Sequence, residues 1–393
     1  PNLAGEHLPE DRVMSYDRAL ELRAMIQAPR TSPDAATPAL SSEANRDVQA
    51  GNTDVAAHRS NTADAVAVTF NLNKEQKQAL NACTKIAADE QVLLLLHGGP
   101  GTGKTHTCAA VEQYLRTFDK TCLAASAAWA AVFQMRVNCK KLSLHKLLKS
   151  GISLGPRTLA GTSKATDWPP AMLHGQFATE HQDVSLFIID EISTTASHML
   201  VALDRMLRAA FRTPNTPFGG RSILLLGDFC QIPPVKDKSI ADHLVTFASS
   251  SASGKHGTTA KERVSTHAAS LFAKFRRVLL TQNERCPDDE YHQILCDRFR
   301  FTGHDDFPIT ESYIKGFQRL DPALLKKDPA FEDAVFAVQT NQERVILSKL
   351  HALRFAKRKR KPIYRWTLPM RKGAGRSRAA YEDYDDTRKK YES

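Results

Sequence analysis

What this sequence lacks narrows it first. No apolar run approaches the roughly 18 residues that a membrane-spanning helix requires, and the start has no charged-then-apolar secretory pattern. No membrane association is therefore expected. Seven cysteines (Cys83, Cys108, Cys122, Cys139, Cys230, Cys286, Cys296) occur without any C-x-x-C spacing. An odd, dispersed set argues for reduced intracellular thiols and against a disulfide frame or a zinc site. No internal repeat is present, which sets aside repeat architectures. Basic charge is scarce in the body as well. The net charge is +11, but residues 354–393 hold 14 Lys and Arg against 5 Asp and Glu, so only +2 is left for the first 353 residues. Any nucleic-acid groove in the body must be local. The densest basic piece, KRKRK at 357–361, can bind nucleic acid, act as a nuclear import signal, or be a solvated tail.

What is present is ordinary for a globular protein: 42% hydrophobic and 25% charged residues over 393 positions, enough for two or three domains. The chain starts at Pro1, so a fragment or a processed product is expected.

The most informative stretch is LLLLHGGPGTGKTHT at 93–107. With Val92, the apolar part is five residues long, which suits a strand buried on both faces. Gly98-Gly99-Pro100-Gly101-Thr102-Gly103-Lys104-Thr105 fits the phosphate loop G-x-x-x-x-G-K-[ST] at every fixed position, and HTCAAVEQYL after it reads as a helix. Glycines let consecutive N–H groups curl around an anion, and the helix start adds free donors and a positive dipole end. Lys104 can then reach the β and γ phosphates, while the Thr105 hydroxyl can take a magnesium position. A nucleoside triphosphate is the expected ligand.

Apolar, strand-like runs recur at VLLLLH (92–97), TCLAAS (121–126), VSLFIID (184–190) and RSILLLGD (221–228), with helical stretches between several of them. This alternation predicts an α/β fold, a parallel sheet with helices on both faces. Residues 13–28 suit an amphipathic helix, and 29 to about 65, poor in large apolar residues, reads as a flexible linker. The expected layout is therefore an N-terminal helix and linker over 1–68, a first ATPase domain over 69–283 and a further partial domain over 284–365. Residues 366–393 are expected to be a basic, disordered tail. Segments 151–183 and 248–268 read as surface insertions in the first domain.

LFIIDEIS (186–193) ends an apolar strand in Asp190 and Glu191, at the edge where an open α/β sheet holds its ligand. Asp190 can hold magnesium through water, and Glu191 can orient and deprotonate an attacking water. LLLGDFCQIPPV (224–235) ends another strand in Gly227-Asp228, followed by Gln231 and two prolines. A polar side chain there can feel the γ-phosphate and pass its presence to a neighbouring surface.

Together with LNKEQKQAL (72–80), AASAAWAA (124–131), SLHKLL (143–148) and LTQNERC (280–286), these strings resemble PIF-type (petite integration frequency) DNA helicases of superfamily one, kin of RecD and of Helitron helicases. The resemblance runs from about 70 to about 355. It implies P-loop NTPase domains of the RecA-like kind, with the second one partial, and an ATP-dependent DNA helicase that uses Mg2+. It further implies that Gln76 reads the adenine edge, Gln231 senses the γ-phosphate, and Arg285 reaches that phosphate from the second domain. Without the motif, Arg285 would be an ordinary surface arginine. Ser126, Trp129 and His145 fall where the family touches DNA. Trp129 either stacks a base or joins the core, and a lone histidine such as His145 is more often structural.

Two departures stand out. The family's TG-x-AA segment is Ser126-Ala127-Ala128-Trp129-Ala130-Ala131 here. After QTNQERV (339–345) neither the SH-x-x-QG segment nor a later arginine-bearing one is found, so a second domain cut short is expected. The resemblance implies 5′ to 3′ stepping on single-stranded DNA, action at DNA junctions, and roles in DNA repair, recombination or telomere maintenance, or in transposon replication. It also implies a monomer placed in the nucleus or alternatively the mitochondrion. Two rival readings are a degenerate ATP-binding, DNA-binding fragment without motor activity, and a P-loop kinase or metabolic ATPase.

Overall fold

The computed structural model describes residues 45–127, 131, 134–148, 155–159, 168–234, 239–244, 259–301, 308–311, 315, 335–338 and 340–363, with the backbone alone for 45–54. In chain order its main elements are α1 (Asn45–Thr69), α2 (Lys74–Cys83), β1 (Leu93–Gly98), α3 (Lys104–Arg116), β2 (Thr121–Ser126), β3 (Lys140–Ser143), α4 (Leu144–Leu147) and α5 (Pro156–Leu159). They continue with α6 (Ala171–His181), β4 (Val184–Asp190), α7 (Ser197–Ala210), β5 (Ser222–Gly227), α8 (Ala260–Phe272), β6 (Arg276–Leu280), α9 (Glu290–Arg300) and α10 (Asn341–Lys359). The chain divides into two units, residues 1–317 and 318–393.

In the first unit six strands form one sheet in the order β3-β2-β4-β5-β1-β6. Every pairing is parallel. The apolar runs become strands because each side of the sheet is covered, so alternate residues bury in opposite directions. Leu95, Phe187, Ile189, Ile223 and Leu225 point into one core with α7 and α8. Leu94, Leu96, Ile188, Leu224 and Leu226 point into the other, with residues of α1, α2 and α3. This is the expected P-loop α/β fold of RecA-like kind. Its register brings the carboxyl ends of β1, β4, β5 and β6 to one edge: His97 faces Gly227, Gly98 faces Leu280, and Ser126 of β2 faces Asp190. Ligands of open parallel sheets bind along such an edge, where the strand order reverses.

The structure revises three expectations. The stretch read as a linker contains α1, whose last turns bury Ala63, Val66 and Ala67 beside the α3 side chains Val111 and Tyr114. The packing of those few small residues holds the helix despite its weak amphipathic pattern. Both segments read as surface insertions also contribute to the core. Leu159 and Phe177 come from the first, and Val264 and Ala268 come from α8 at the end of the second. The third concerns the boundary at 283/284, since α9 lies within the first unit. In the second unit, α10 starts with a capping box between Thr340 and Glu343 and exposes Val345, Ile346, Leu350 and Leu353. The basic tail of 366–393 and the helix of 13–28 lie outside the described residues. All seven cysteines are free thiols, and no described helix is long and apolar enough to cross a membrane.

Candidate nucleotide-binding site

Gly98 to Thr105 links β1 to α3, as the motif demands. Gly101 (φ 84°) and Gly103 (φ 83°) adopt left-handed backbone that a side chain would strain. Thr102 is buried and donates its hydroxyl to Gly99 O at 2.9 Å. The Lys104 ammonium donates to Gly98 O (2.7 Å) and Gly99 O (2.9 Å), which folds it back over the loop. Burial lowers the Lys104 pKa, while Asp228, Asp190 and Glu191 oppose that shift. The side chain therefore sits within the field of all three carboxylates.

Asp190 closes β4, and its Oδ1 accepts from the Glu191 N–H at 2.8 Å. Burial pushes its carboxyl up to about 6, and the Glu191 charge adds to that; the Glu191 N–H and the Lys104 charge pull the other way. Glu191 itself has φ 53°, a left-handed conformation that costs a non-glycine residue ~1–3 kcal/mol.

Gln76 stands in the first turn of α2, beside the phosphate loop. It is buried, its Oε1 accepts from Asn73 N (3.1 Å), and its Nε2 donates to Thr102 O (3.2 Å). As placed, it braces the phosphate loop from the first turn of α2. Beside it, the segment after β6 is strapped down by two side chains. Glu75 accepts from Thr281 N and Oγ1 (2.7 and 2.5 Å), and Asn73 donates to Glu284 (2.5 Å). Glu284 N also donates to Gly101 O at 2.8 Å, so LTQNER rests on the phosphate loop. Arg285 is exposed there, and a methyl placed on Gly101 would meet its Cβ at 3.0 Å. The structure thus brings Arg285 to the loop within the first unit, whereas the resemblance implied a reach from a second domain. Gln231 is exposed just past β5, its N–H donating to Asp228 O at 3.0 Å.

The DNA candidates are less concentrated. Ser126 is wholly buried at the end of β2, opposite Asp190 and Ser143, and closed to an incoming strand as placed. His145 is exposed on α4 beside Lys146. Trp129 lies outside the described residues.

Sequence reasoning missed three charged or polar neighbours. Asp228, in LLLGDFCQIPPV, is fully buried just past the end of β5. Arg300, the last residue of α9, donates to it through Nε (3.1 Å) and Nη2 (3.3 Å). His97 Nε2 accepts from Phe229 N (3.2 Å) and lies 3.7 Å from Asp228 Oδ1, with its ring stacked on Phe229. No local pattern marks Arg300; the signal for Asp228 and His97 was their place at strand ends.

Burial lowers the His97 pKa to about 4, opposed by Asp228 and reinforced by Arg300 and Lys104. The ring is therefore neutral at pH 7, and its approach to Asp228 is not an ion pair. A histidine held below its unfolded value of 6.5 gives stability that is complete above that value and lost as pH falls through about 4. The gap corresponds to roughly 3 kcal/mol. Urea unfolding between pH 7 and pH 4 should therefore lose stability less steeply in His97→Gln than in the unaltered chain. Equal slopes would show that His97 carries none of the acid sensitivity.

The donor set fits magnesium. Thr105 and Asp190 supply hard oxygens, and magnesium binds through one or two carboxylates plus phosphates and water. Among the described residues no cluster of three His, Cys, Asp or Glu could hold a metal ion, so phosphate oxygens and water would complete the shell.

Residues 71–261 match the family model described as PIF1-like helicase. Among curated proteins, the chain is similar to the ATP-dependent DNA helicase PIF1 of Candida albicans, at 29% identity over 188 residues, covering 44% of this chain and 19% of that protein. It is likewise similar to the ATP-dependent DNA helicase RRM3 of Saccharomyces cerevisiae, at 30% over 190 residues, covering 48% and 23%. The chain thus spans about a fifth of the length of these two relatives. A Pif1 helicase from Bacteroides, solved in complex with ADP-AlF3 and ssDNA, matches with TM-score 0.45 and 20% identity over 76% of this chain and 61% of that one. The fold is carried by the six-stranded parallel sheet.

Proposed function

We propose that this chain, whose residues 71–261 match the PIF1-like helicase model, hydrolyses ATP with magnesium and couples the reaction to single-stranded DNA. The observation that carries the proposal is the phosphate loop between β1 and α3, with Asp190 and Glu191 at the end of β4 on the same edge of the sheet. The names of its curated relatives as ATP-dependent DNA helicases support the same reading. Thr105 and Asp190 would hold the magnesium ion, which supplies charge neutralisation to the β and γ phosphates. Lys104 holds the terminal phosphates, Glu191 takes the proton of the attacking water, and Gln231 and Arg285 respond to the phosphate that leaves.

Stepping from 5′ to 3′, action at junctions in repair, recombination or telomere maintenance, or in transposon replication, and a monomeric state belong to the same proposal. So does nuclear or mitochondrial placement, for which the exposed basic end of α10 supports the nucleus. The experiment is ATP turnover with magnesium, with and without single-stranded DNA. Turnover raised several-fold by DNA is expected. Turnover indifferent to DNA would favour a metabolic ATPase, and nucleotide binding without DNA-stimulated turnover would favour the degenerate reading. The buried Ser126 speaks for that second outcome, because it closes one of the three DNA contacts that the sequence suggested.

A further inference from the structure

A further cation sits on the phosphate loop, and neither the motifs nor the family match accounts for it. Arg300 lies beyond residues 71–261, at the end of α9. A methyl group placed on Gly99 would lie 3.1 Å from its Cζ and Nη1, so the guanidinium rests directly on the loop. Three of its bonds are ionic. Nε and Nη2 engage Asp228 at 3.1 and 3.3 Å, and Nη1 engages Asp297 at 3.1 Å. Asp228 is fully buried, and Arg300 is the cation bonded to it: its other contacts are Cys230, whose N–H donates at 3.1 Å, and the neutral His97.

An incoming triphosphate changes this balance. It places several negative charges against the same glycines that Arg300 covers, beside a carboxylate that cannot move into solvent. Arginine's planar fork fits phosphate as well as carboxylate, so one guanidinium can pass from one to the other. Asp228 opens the turn that carries Gln231, through the Cys230 N–H to its carboxylate and the Gln231 N–H to its carbonyl. Whatever loosens the Asp228 carboxylate therefore loosens the turn at 228–231.

We propose that Arg300 is a nucleotide-binding residue held in reserve by Asp228, and that it exchanges that carboxylate for the terminal phosphate of a bound nucleoside triphosphate and so reports the triphosphate state to residues 228–231. The proposal rests on the nucleotide-binding reading above and deepens it. A diphosphate lacks the group that draws Arg300 away, so the exchange gives the chain a preference for ATP over ADP.

The test is equilibrium titration of the full chain with fluorescent ATP and ADP analogues in magnesium. The unaltered protein, Arg300→Ala, Asp228→Asn and the double variant are compared, with thermal unfolding of each. Arg300→Ala leaves a buried carboxylate unpaired and is expected to lose stability; the double variant removes that carboxylate's charge and should regain it. If Arg300 acts on the nucleotide, the ATP-over-ADP preference falls at least tenfold in both Arg300→Ala and the double variant, and is kept or increased in Asp228→Asn. A double variant that is stable and keeps the full preference would reduce Arg300 to a structural partner and overturn the proposal. An unaltered chain that binds ATP and ADP equally would also overturn it while leaving the nucleotide site standing. An unaltered chain that binds neither would overturn both.

Discussion

Replacing Lys104 with alanine is expected to lower ATP turnover by ~10²–10³-fold or more, the cost of removing one preorganised charge from a water-poor site, and to weaken ATP binding along with it. The side chain is already desolvated and already aimed: two loop carbonyls hold its ammonium at 2.7 and 2.9 Å. Asp228, Asp190 and Glu191 keep the charge in place against the pull of burial. A phosphate that replaces those carbonyls gains an ion pair without first paying to strip water from the lysine. Alanine forfeits that and leaves the carboxylate group without its central cation, so magnesium and nucleotide meet unbalanced repulsion as well. The fold itself should survive, because β1 and α3 are held by Leu94, Leu96, Val111 and Leu115, not by Lys104. Phosphate release and fluorescent-nucleotide titration check both halves. Turnover within tenfold of the unaltered chain would mean that the loop does not carry the reaction.

The sequence exposed the parts of this site that are local, and hid the parts that come together only in the fold. The phosphate loop and the Asp190-Glu191 step are contiguous, and each follows a run of apolar residues that no other burial pattern suits. The strands at 121–126, 184–190 and 221–228 were legible for the same reason. β3 and β6 were not: KKLS and RRVLL are short, carry lysine or arginine, and lie at the two edges of the sheet, where one side of the ladder is open. Arg300 reaches Asp228 across 72 positions of sequence, and nothing near either residue announces the partner. Some missed features did have a signal. Thr259-Ala260-Lys261-Glu262 is a capping box in plain sight, with Glu262 N donating to Thr259 Oγ1 at 3.2 Å, yet the serine- and glycine-rich stretch before it disguised the start of a core helix. Asn73 and Gln76 form another, which explains why Gln76 turns toward the phosphate loop: its oxygen is committed to the helix cap, leaving only the amide nitrogen for Thr102.

Glu191→Gln should separate the chemical step from binding, in contrast to the lysine variant. Glutamine keeps the length and shape of glutamate, and the contacts that hold this turn are made by the backbone: Glu191 N donates to Asp190 at 2.8 Å, and Glu191 O accepts from Thr194 Oγ1 at 2.9 Å. The strained φ of 53° is therefore preserved, and with it the direction of the side chain. What is lost is the ability to accept a proton from water. General-base catalysis contributes ~10²–10⁴-fold, so turnover is expected to fall by that factor while ATP affinity stays within about threefold, a difference of under 1 kcal/mol. Removing one negative charge beside Asp190 could even tighten the complex slightly, since that charge helps hold the Asp190 carboxyl near 6. Single-turnover phosphate release, measured beside nucleotide titration, distinguishes the cases. A variant that binds and does not hydrolyse places the base at Glu191. A variant that hydrolyses at the original rate places the base elsewhere.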